Sequence, residues 1–285
     1  MEAQSTLQVF VNGDFVPAQQ AFLHISDLAI QRGYGVFDFF KADKHKPLFL
    51  NDYLERFYNS ASLMYLPVPY TKDELRQILQ KLISLNNLEE SGVKMILTGG
   101  YSENGFDPAA PNLIIQQQPL VLPSKEKVKK GISIITHEYL RDLPIVKSIN
   151  YTTGIRLLHH MREQNAEEVL YFNSGIITEF PRCNFFIVTE DNTLVTPAHN
   201  ILKGITRKNV MALAAKKYKV VERDITLQEV KQAKETFLTS TTKRILPIVK
   251  IDGEVIGTGK PGPITLELLQ DLMALEQEVL AETVR

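Results

Sequence analysis

Pro144-Ile145-Val146-Lys147-Ser148-Ile149-Asn150-Tyr151 sets one lysine between Val146 and Ile149. A lysine flanked in this way is expected to be partly desolvated. Burial disfavours an ammonium, which suits a lysine that attacks a carbonyl as a free amine. Further along come Gly175-Ile176-Ile177-Thr178-Glu179 and two threonine-bearing turns, Gly204-Ile205-Thr206-Arg207 and Phe237-Leu238-Thr239-Ser240-Thr241-Thr242.

Taken singly, each residue has an ordinary explanation. Lys147 reads as a surface lysine, Glu179 as a solvated charge at a strand end, and Thr206 as a helix N-cap. Taken in order, they supply the parts of a pyridoxal phosphate (PLP) site: a Schiff-base lysine, a carboxylate for a pyridinium nitrogen, and turns offering backbone N–H groups to a phosphate. The same order resembles the class IV, or fold type IV, aminotransferases. That family includes branched-chain and D-amino-acid aminotransferases and aminodeoxychorismate lyase. The resemblance runs from Phe10-Val11-Asn12-Gly13 to Ile248. It includes Gln31-Arg32-Gly33-Tyr34-Gly35-Val36-Phe37-Asp38, Leu54-Glu55-Arg56-Phe57, Ile177-Thr178-Glu179 with Asn184-Phe185-Phe186, and Gly204-Ile205-Thr206-Arg207.

The resemblance implies an α+β enzyme of fold type IV, with a small α/β N-terminal domain and a larger pseudo-barrel C-terminal domain. It implies a homodimer with active sites at the subunit interface and ping-pong exchange of an amino group between an amino acid and a 2-oxo acid such as 2-oxoglutarate. Lys147 would bind PLP covalently and shuttle the α-proton. Glu179 would hydrogen-bond the pyridine nitrogen, and Tyr151 would lie near the phenolic oxygen. Arg56, which periodicity alone places on an exposed helix face, becomes the phosphate arginine. Ile205 and Thr206 would offer N–H groups at a helix N-terminus, and Ser240 and Thr241 form the second phosphate turn.

The substrate residues depart from the better-known relatives. Branched-chain enzymes usually carry Phe-Glu-Gly-Ile-Arg where this chain has Phe37-Asp38-Phe39-Phe40-Lys41, so Phe39 should fill part of the side-chain pocket. They also carry Gly-Glu-Asn where this chain has Arg182-Cys183-Asn184. The Arg-x-His pair of the familiar D-amino-acid enzymes is absent from Ser102-Glu103-Asn104-Gly105-Phe106, and the lyases' threonine is missing at Phe39. Arg182 and Arg32 are the expected carboxylate partners, with Phe37, Phe39 and Thr242 beside the substrate. A carboxylate docked on the phenolic-oxygen side favours D-amino acids, and both arginines are expected there. Tyr151 matches the branched-chain pattern instead. A branched-chain L-amino-acid aminotransferase, an aminodeoxychorismate lyase and a catalytically silent PLP-binding protein are the alternatives.

Composition is that expected of an ordinary soluble globular protein: 285 residues, 44% hydrophobic, 23% charged. A net charge of −1 gives no reason to expect nucleic acid or an acidic membrane as partner. One cysteine, Cys183, excludes an internal disulfide, fits a reducing cytoplasm and reads as a small buried residue. No signal peptide, transmembrane run or metal spacing is expected. Gly33-Tyr34-Gly35 and Gly259-Lys260-Pro261-Gly262 lack the strand and helix that a dinucleotide fingerprint needs, and no Walker A pattern exists.

Local signals predict a small α+β domain over 1–118, an exposed lysine-bearing linker over 119–130 and a PLP-binding domain over 131–285. Asn12-Gly13 predicts a tight hairpin. Thr71 with Glu74 and Thr226 with Glu229 read as capping boxes. Helices are expected over Thr152–Gln164 and Arg207–Tyr218, with a last one opened by Pro263.

Overall fold

Asn12 and Gly13 take positive φ, 50° and 115°, and close the hairpin of β1 (Gln8–Val11) and β2 (Asp14–Pro17). Only residues that tolerate the left-handed region turn a chain this tightly, which is why the pair is legible as a hairpin. The structure is a computed structural model describing residues 7–282. The chain divides into two units. The first runs to Leu120 and also takes Val146–Asn150 and the chain from Val279; the second comprises Val121–Ile145 and Tyr151–Glu278.

After the hairpin, the first unit carries α1 (Leu28–Arg32), β3 (Gly35–Asp43), β4 (Lys46–Pro47), α2 (Leu50–Leu63), α3 (Lys72–Asn86), β5 (Glu90–Thr98) and β6 (Leu113–Pro119). Its antiparallel sheet has the order β2-β1-β6-β5-β3-β4. Strand alternation sorts β3 into two faces. Val36, Asp38, Phe40 and Ala42 are fully buried, and the α2 residues Tyr53 and Arg56 meet Phe40 and Asp38. Phe37 and Phe39 lie on the other face, half-buried. Thr71 and Glu74 form the expected capping box at α3. The α3 residues Leu75, Leu79, Leu82 and Ile83 are fully buried, each worth about 1.5–3 kcal/mol of apolar transfer.

The second unit comprises α4 (Lys125–Lys130), β7 (Ile132–Glu138), α5 (Thr152–Arg156), α6 (Leu158–Glu163), β8 (Glu168–Asn173), β9 (Ile176–Ile177), β10 (Asn184–Val188), β11 (Leu194–Thr196), α7 (Ile205–Ala214), β12 (Val220–Glu222), α8 (Leu227–Lys231), β13 (Glu235–Ser240), β14 (Arg244–Ile251), β15 (Glu254–Val255) and α9 (Pro263–Glu282), whose last residues belong to the first unit. The mixed sheet has the order β12-β11-β10-β13-β14-β7-β8-β9, with β15 on β14. The strand β10 shows why this sheet is buried on both faces. Phe185 and Ile187 enter one core with Leu238 and Leu246, while Phe186 and Val188 enter another under α7 and α9. Phe186 stacks on Phe237 with ring centroids 4.9 Å apart.

Three local expectations change. The helix expected over Thr152–Gln164 is split, because ψ of −9° at Leu157 leaves the regular α geometry between α5 and α6. The helix expected over Arg207–Tyr218 begins at Ile205 and ends at Ala214; Lys216 and Lys217 then bond three residues back, tightening the last turn. The segment read as a linker contains α4, capped by Ser124. No helix among the described residues is long and apolar enough to cross a membrane.

Candidate active site

In the first unit, the segment around Lys147 is attached to β3 by its main chain. Lys147 O accepts from Phe37 N at 2.9 Å, Ile149 N donates to Gly35 O at 3.1 Å, and Lys147 N donates to Ser60 Oγ at 3.2 Å. The side chain therefore leaves a fixed backbone. Its ammonium lies 4.6 Å from the centroid of the Phe37 ring, and the residue is half-buried next to fully buried Val146. Arg56 is not the exposed helix residue its spacing suggests. Its Nε and Nη2 bind Asp38 at 2.9 and 2.6 Å, its side chain is 12% exposed, and Asp38 is fully buried. Phe39 lies over Gly92, where an added Cβ would fall 2.0 Å from the ring. Arg32 stands exposed in the last turn of α1 and donates to Gln31 O at 3.0 Å.

In the second unit, Glu179 is buried. Its Oε1 accepts from Arg141 Nε at 2.8 Å and its Oε2 from Leu202 N at 2.9 Å. Arg141 is itself braced by Pro144 O at 2.5 Å. Nearby, burial pushes the Tyr171 phenol above its ordinary value; Tyr139, Glu179 and Tyr151 add to this and Arg141 opposes it. Tyr151 is half-buried and stands at the N-cap of α5.

The N-cap of α7 is Gly204, not Thr206, and no side chain caps this helix. The N–H groups of Ile205 and Thr206 belong to its first turn, where the helix dipole favours an anion. Gly204 is held by Asn184, whose Oδ1 accepts from Gly204 N at 3.1 Å and whose Nδ2 donates to Leu202 O at 2.7 Å. A Cβ on Gly204 would come within 2.2 Å of Asn184 Oδ1, so the close approach requires glycine. Arg207 is a structural residue, buried against Glu222 at 2.6 Å and Pro197 O at 3.0 Å.

The third piece is the turn between β13 and β14. Ser240 and Thr242 place their hydroxyl oxygens 3.5 Å apart, and Thr241 lies between them, half-buried. Strand register sets Asn184 opposite Thr239, one residue before this turn. Glu179, the start of α7 and the Ser240–Thr242 turn are thus joined through Leu202 and Asn184. Arg182 is 62% exposed and reaches Glu168 Oε1 at 3.4 Å.

Sequence reasoning missed Asp38, Ser60, Arg141 and the clamp made by Asn184. Asn184 carried a signal: an amide opening an otherwise apolar strand needs hydrogen-bond partners once buried. Asp38 also carried one, since it alternates with apolar residues that face a core. Arg141, in the irregular segment between β7 and α5, carried none.

The fold is that of the fold type IV PLP enzymes. The chain belongs to the class IV aminotransferase family, whose model, described as Amino-transferase class IV, matches residues 35–251. It is 33% identical over 274 residues to a D-alanine aminotransferase of Listeria monocytogenes serotype 4b (strain F2365), covering 93% of this chain and 94% of the relative. It is 30% identical over 271 residues to a putative branched-chain-amino-acid aminotransferase of Methanocaldococcus jannaschii, covering 92% and 94%. In fold it resembles the Escherichia coli branched-chain amino acid aminotransferase, with a TM-score of 0.88, 25% identity, and coverage of 95% of this chain and 94% of that one. The chain is accordingly a PLP-dependent transaminase. Its residues fit the cofactor: a helix start without a side-chain cap and the hydroxyl-bearing turn suit a phosphate, and the braced carboxylate suits a pyridinium.

Proposed function

We propose that this enzyme transfers the amino group of an amino acid, D-amino acids by preference, to a 2-oxo acid such as 2-oxoglutarate. The observation that carries the cofactor assignment is buried Glu179, fixed on one oxygen by Arg141 and on the other by Leu202 N–H, two residues ahead of the uncapped start of α7. In this reading Glu179 holds the pyridine nitrogen. The phosphate is held by Ile205 and Thr206 N–H, Ser240, Thr241 and Arg56, and Tyr151 lies near the phenolic oxygen. Bound PLP supplies the sink for the electron pair released when the substrate loses its α-proton. Lys147 would take that proton from the Cα of the donor amino acid and, in the return half of the exchange, would deliver a proton to the Cα formed from the acceptor oxo acid. The main-chain bonds to β3 and Ser60 hold its backbone still while its amine moves. Glu179→Gln should fold and bind PLP yet transaminate slowly, because an amide does not stabilise a protonated ring nitrogen. A wild-type rate would remove Glu179 from the reaction.

Arg182 takes the substrate carboxylate in this reading, with Arg32, Phe37, Phe39 and Thr242 as further substrate neighbours. The preference for D-substrates is supported by the D-alanine aminotransferase relatives. The branched-chain L-amino-acid alternative is supported by the Methanocaldococcus relative and by Tyr151. Rates for a panel of D- and L-amino acids with 2-oxoglutarate decide between them. D-alanine or D-glutamate should outpace L-leucine and L-valine; the reverse order selects the branched-chain reading. Pyruvate released without any acceptor selects the lyase. The proposed location is the cytoplasm, and the proposed state is a homodimer, the latter supported by the exposed apolar side chains Phe22, Ile25, Ile30 and Phe106 of the first unit.

A further inference from the structure

Glu168 opens β8 and is buried, and one of its oxygens serves two cations. Lys243 Nζ lies 2.6 Å from Oε1, and Arg182 Nη2 lies 3.4 Å from the same atom. Lys243 directly follows the Ser240–Thr242 turn: its N–H donates to Ser240 O at 3.3 Å, and its ammonium also reaches Cys183 Sγ at 3.7 Å. Two cations against one carboxylate leave a surplus of one positive charge. Cys183 does not cancel it, because burial pushes its thiol up and keeps it neutral.

The surplus is unevenly placed. Lys243 is 16% exposed and sits at the distance of a strong charged hydrogen bond, about 2.7–2.9 Å or less. Arg182 is 62% exposed and beyond that distance. Lys243 therefore occupies Glu168, and Arg182 is the member left able to turn toward another anion. A second carboxylate would complete the cluster as two cations with two anions.

We propose that Lys243 and Glu168 are opposed positioning residues for substrate binding: Lys243 occupies Glu168 and so releases Arg182 to take the substrate carboxylate, while Glu168 competes for that guanidinium. This rests on the assignment of Arg182 as the carboxylate partner. The two residues then act with opposite sign, which an ordinary structural ion pair does not do. Without Lys243, the buried Glu168 carboxylate binds Arg182 alone and the cluster is neutral. Without the charge on Glu168, Arg182 is released and the local potential rises.

The test is steady-state kinetics of the PLP-saturated enzyme, with competitive inhibition by propionate, a carboxylate that has no amino group to transfer. Lys243→Met should raise KM for the amino acid and Ki for propionate about tenfold, an interaction change of about 1.4 kcal/mol, with kcat and PLP affinity retained. Glu168→Gln should lower both constants. Lys243→Arg, which keeps the charge, should restore them and guards against a folding defect in the methionine variant. Equal directions in Lys243→Met and Glu168→Gln, or a change confined to PLP affinity, overturn the proposal. Arg182→Ala separates the two levels. If it leaves KM unchanged, the carboxylate assignment itself fails. If it raises KM while the other two variants move together, only the opposed-pair inference fails.

Discussion

Each unit carries an arginine singled out by the sequence, and the two are held in contrasting ways. Arg56 is forked onto the fully buried Asp38 of β3 through two bonds of 2.9 and 2.6 Å. Arg182 makes one contact of 3.4 Å to Glu168 from a largely exposed position. A bidentate pair with a buried carboxylate fixes the plane of a guanidinium; a single long contact does not. In the proposed reading the difference would suit two tasks: an arginine for a resident cofactor gains from being set before binding, while one for exchanging substrates must release them.

The part of the first unit that carries Lys147 follows the fixed pattern, and its removal tests the most. Lys147→Ala should abolish turnover: loss of an acid–base group alone costs about 10²–10⁴-fold, and covalent attachment is lost as well. Rates with saturating PLP measure this, and near-wild-type activity would sink the whole assignment.

Next in size is the tether of Arg56. Asp38→Asn removes a buried negative charge and leaves the guanidinium uncompensated, a change worth about 3–5 kcal/mol for a buried pair. The expected result is a lower Tm together with weaker PLP retention. An unchanged Tm would mean that Arg56 is not fixed by Asp38, and the contrast between the two arginines would lose its first term.

What the sequence disclosed divides along the same line between local and long-range structure. The capping boxes at Thr71 and Thr226 and the Asn12-Gly13 turn are local chemistry, and each appears where the spacing predicts it. The family motifs singled out Lys147, Glu179 and the Gly204-Ile205-Thr206 turn as the expected cofactor residues. What holds these residues was not legible. Arg141 lies 38 residues from Glu179, Asn184 lies 20 from Gly204, and Lys147 bonds to Ser60 across 87. No periodicity encodes such pairings, because they arise only when strands align. The split at Leu157 was also hidden, since the side-chain pattern of α5 and α6 continues across a backbone deviation of a single residue.

The smallest expected effect on stability falls at the other arginine and sharpens the contrast most. An exposed single contact is worth about 0–1 kcal/mol, so Arg182→Ala should leave Tm close to wild type. Its effect should appear in substrate binding, because a charged hydrogen bond to a carboxylate contributes about 1.5–3 kcal/mol, or roughly 10- to 150-fold in KM for D-amino acids. The informative quantity is the ratio between the two arginine sites: Asp38→Asn should move Tm and PLP retention, and Arg182→Ala should move KM with both of those unchanged. If Arg182→Ala lowers Tm as Asp38→Asn does, the Glu168 pair is a structural fastening and both arginines belong to one kind. If KM for D-substrates is unchanged and L-leucine is the better donor, the carboxylate docks elsewhere and the branched-chain reading replaces this one.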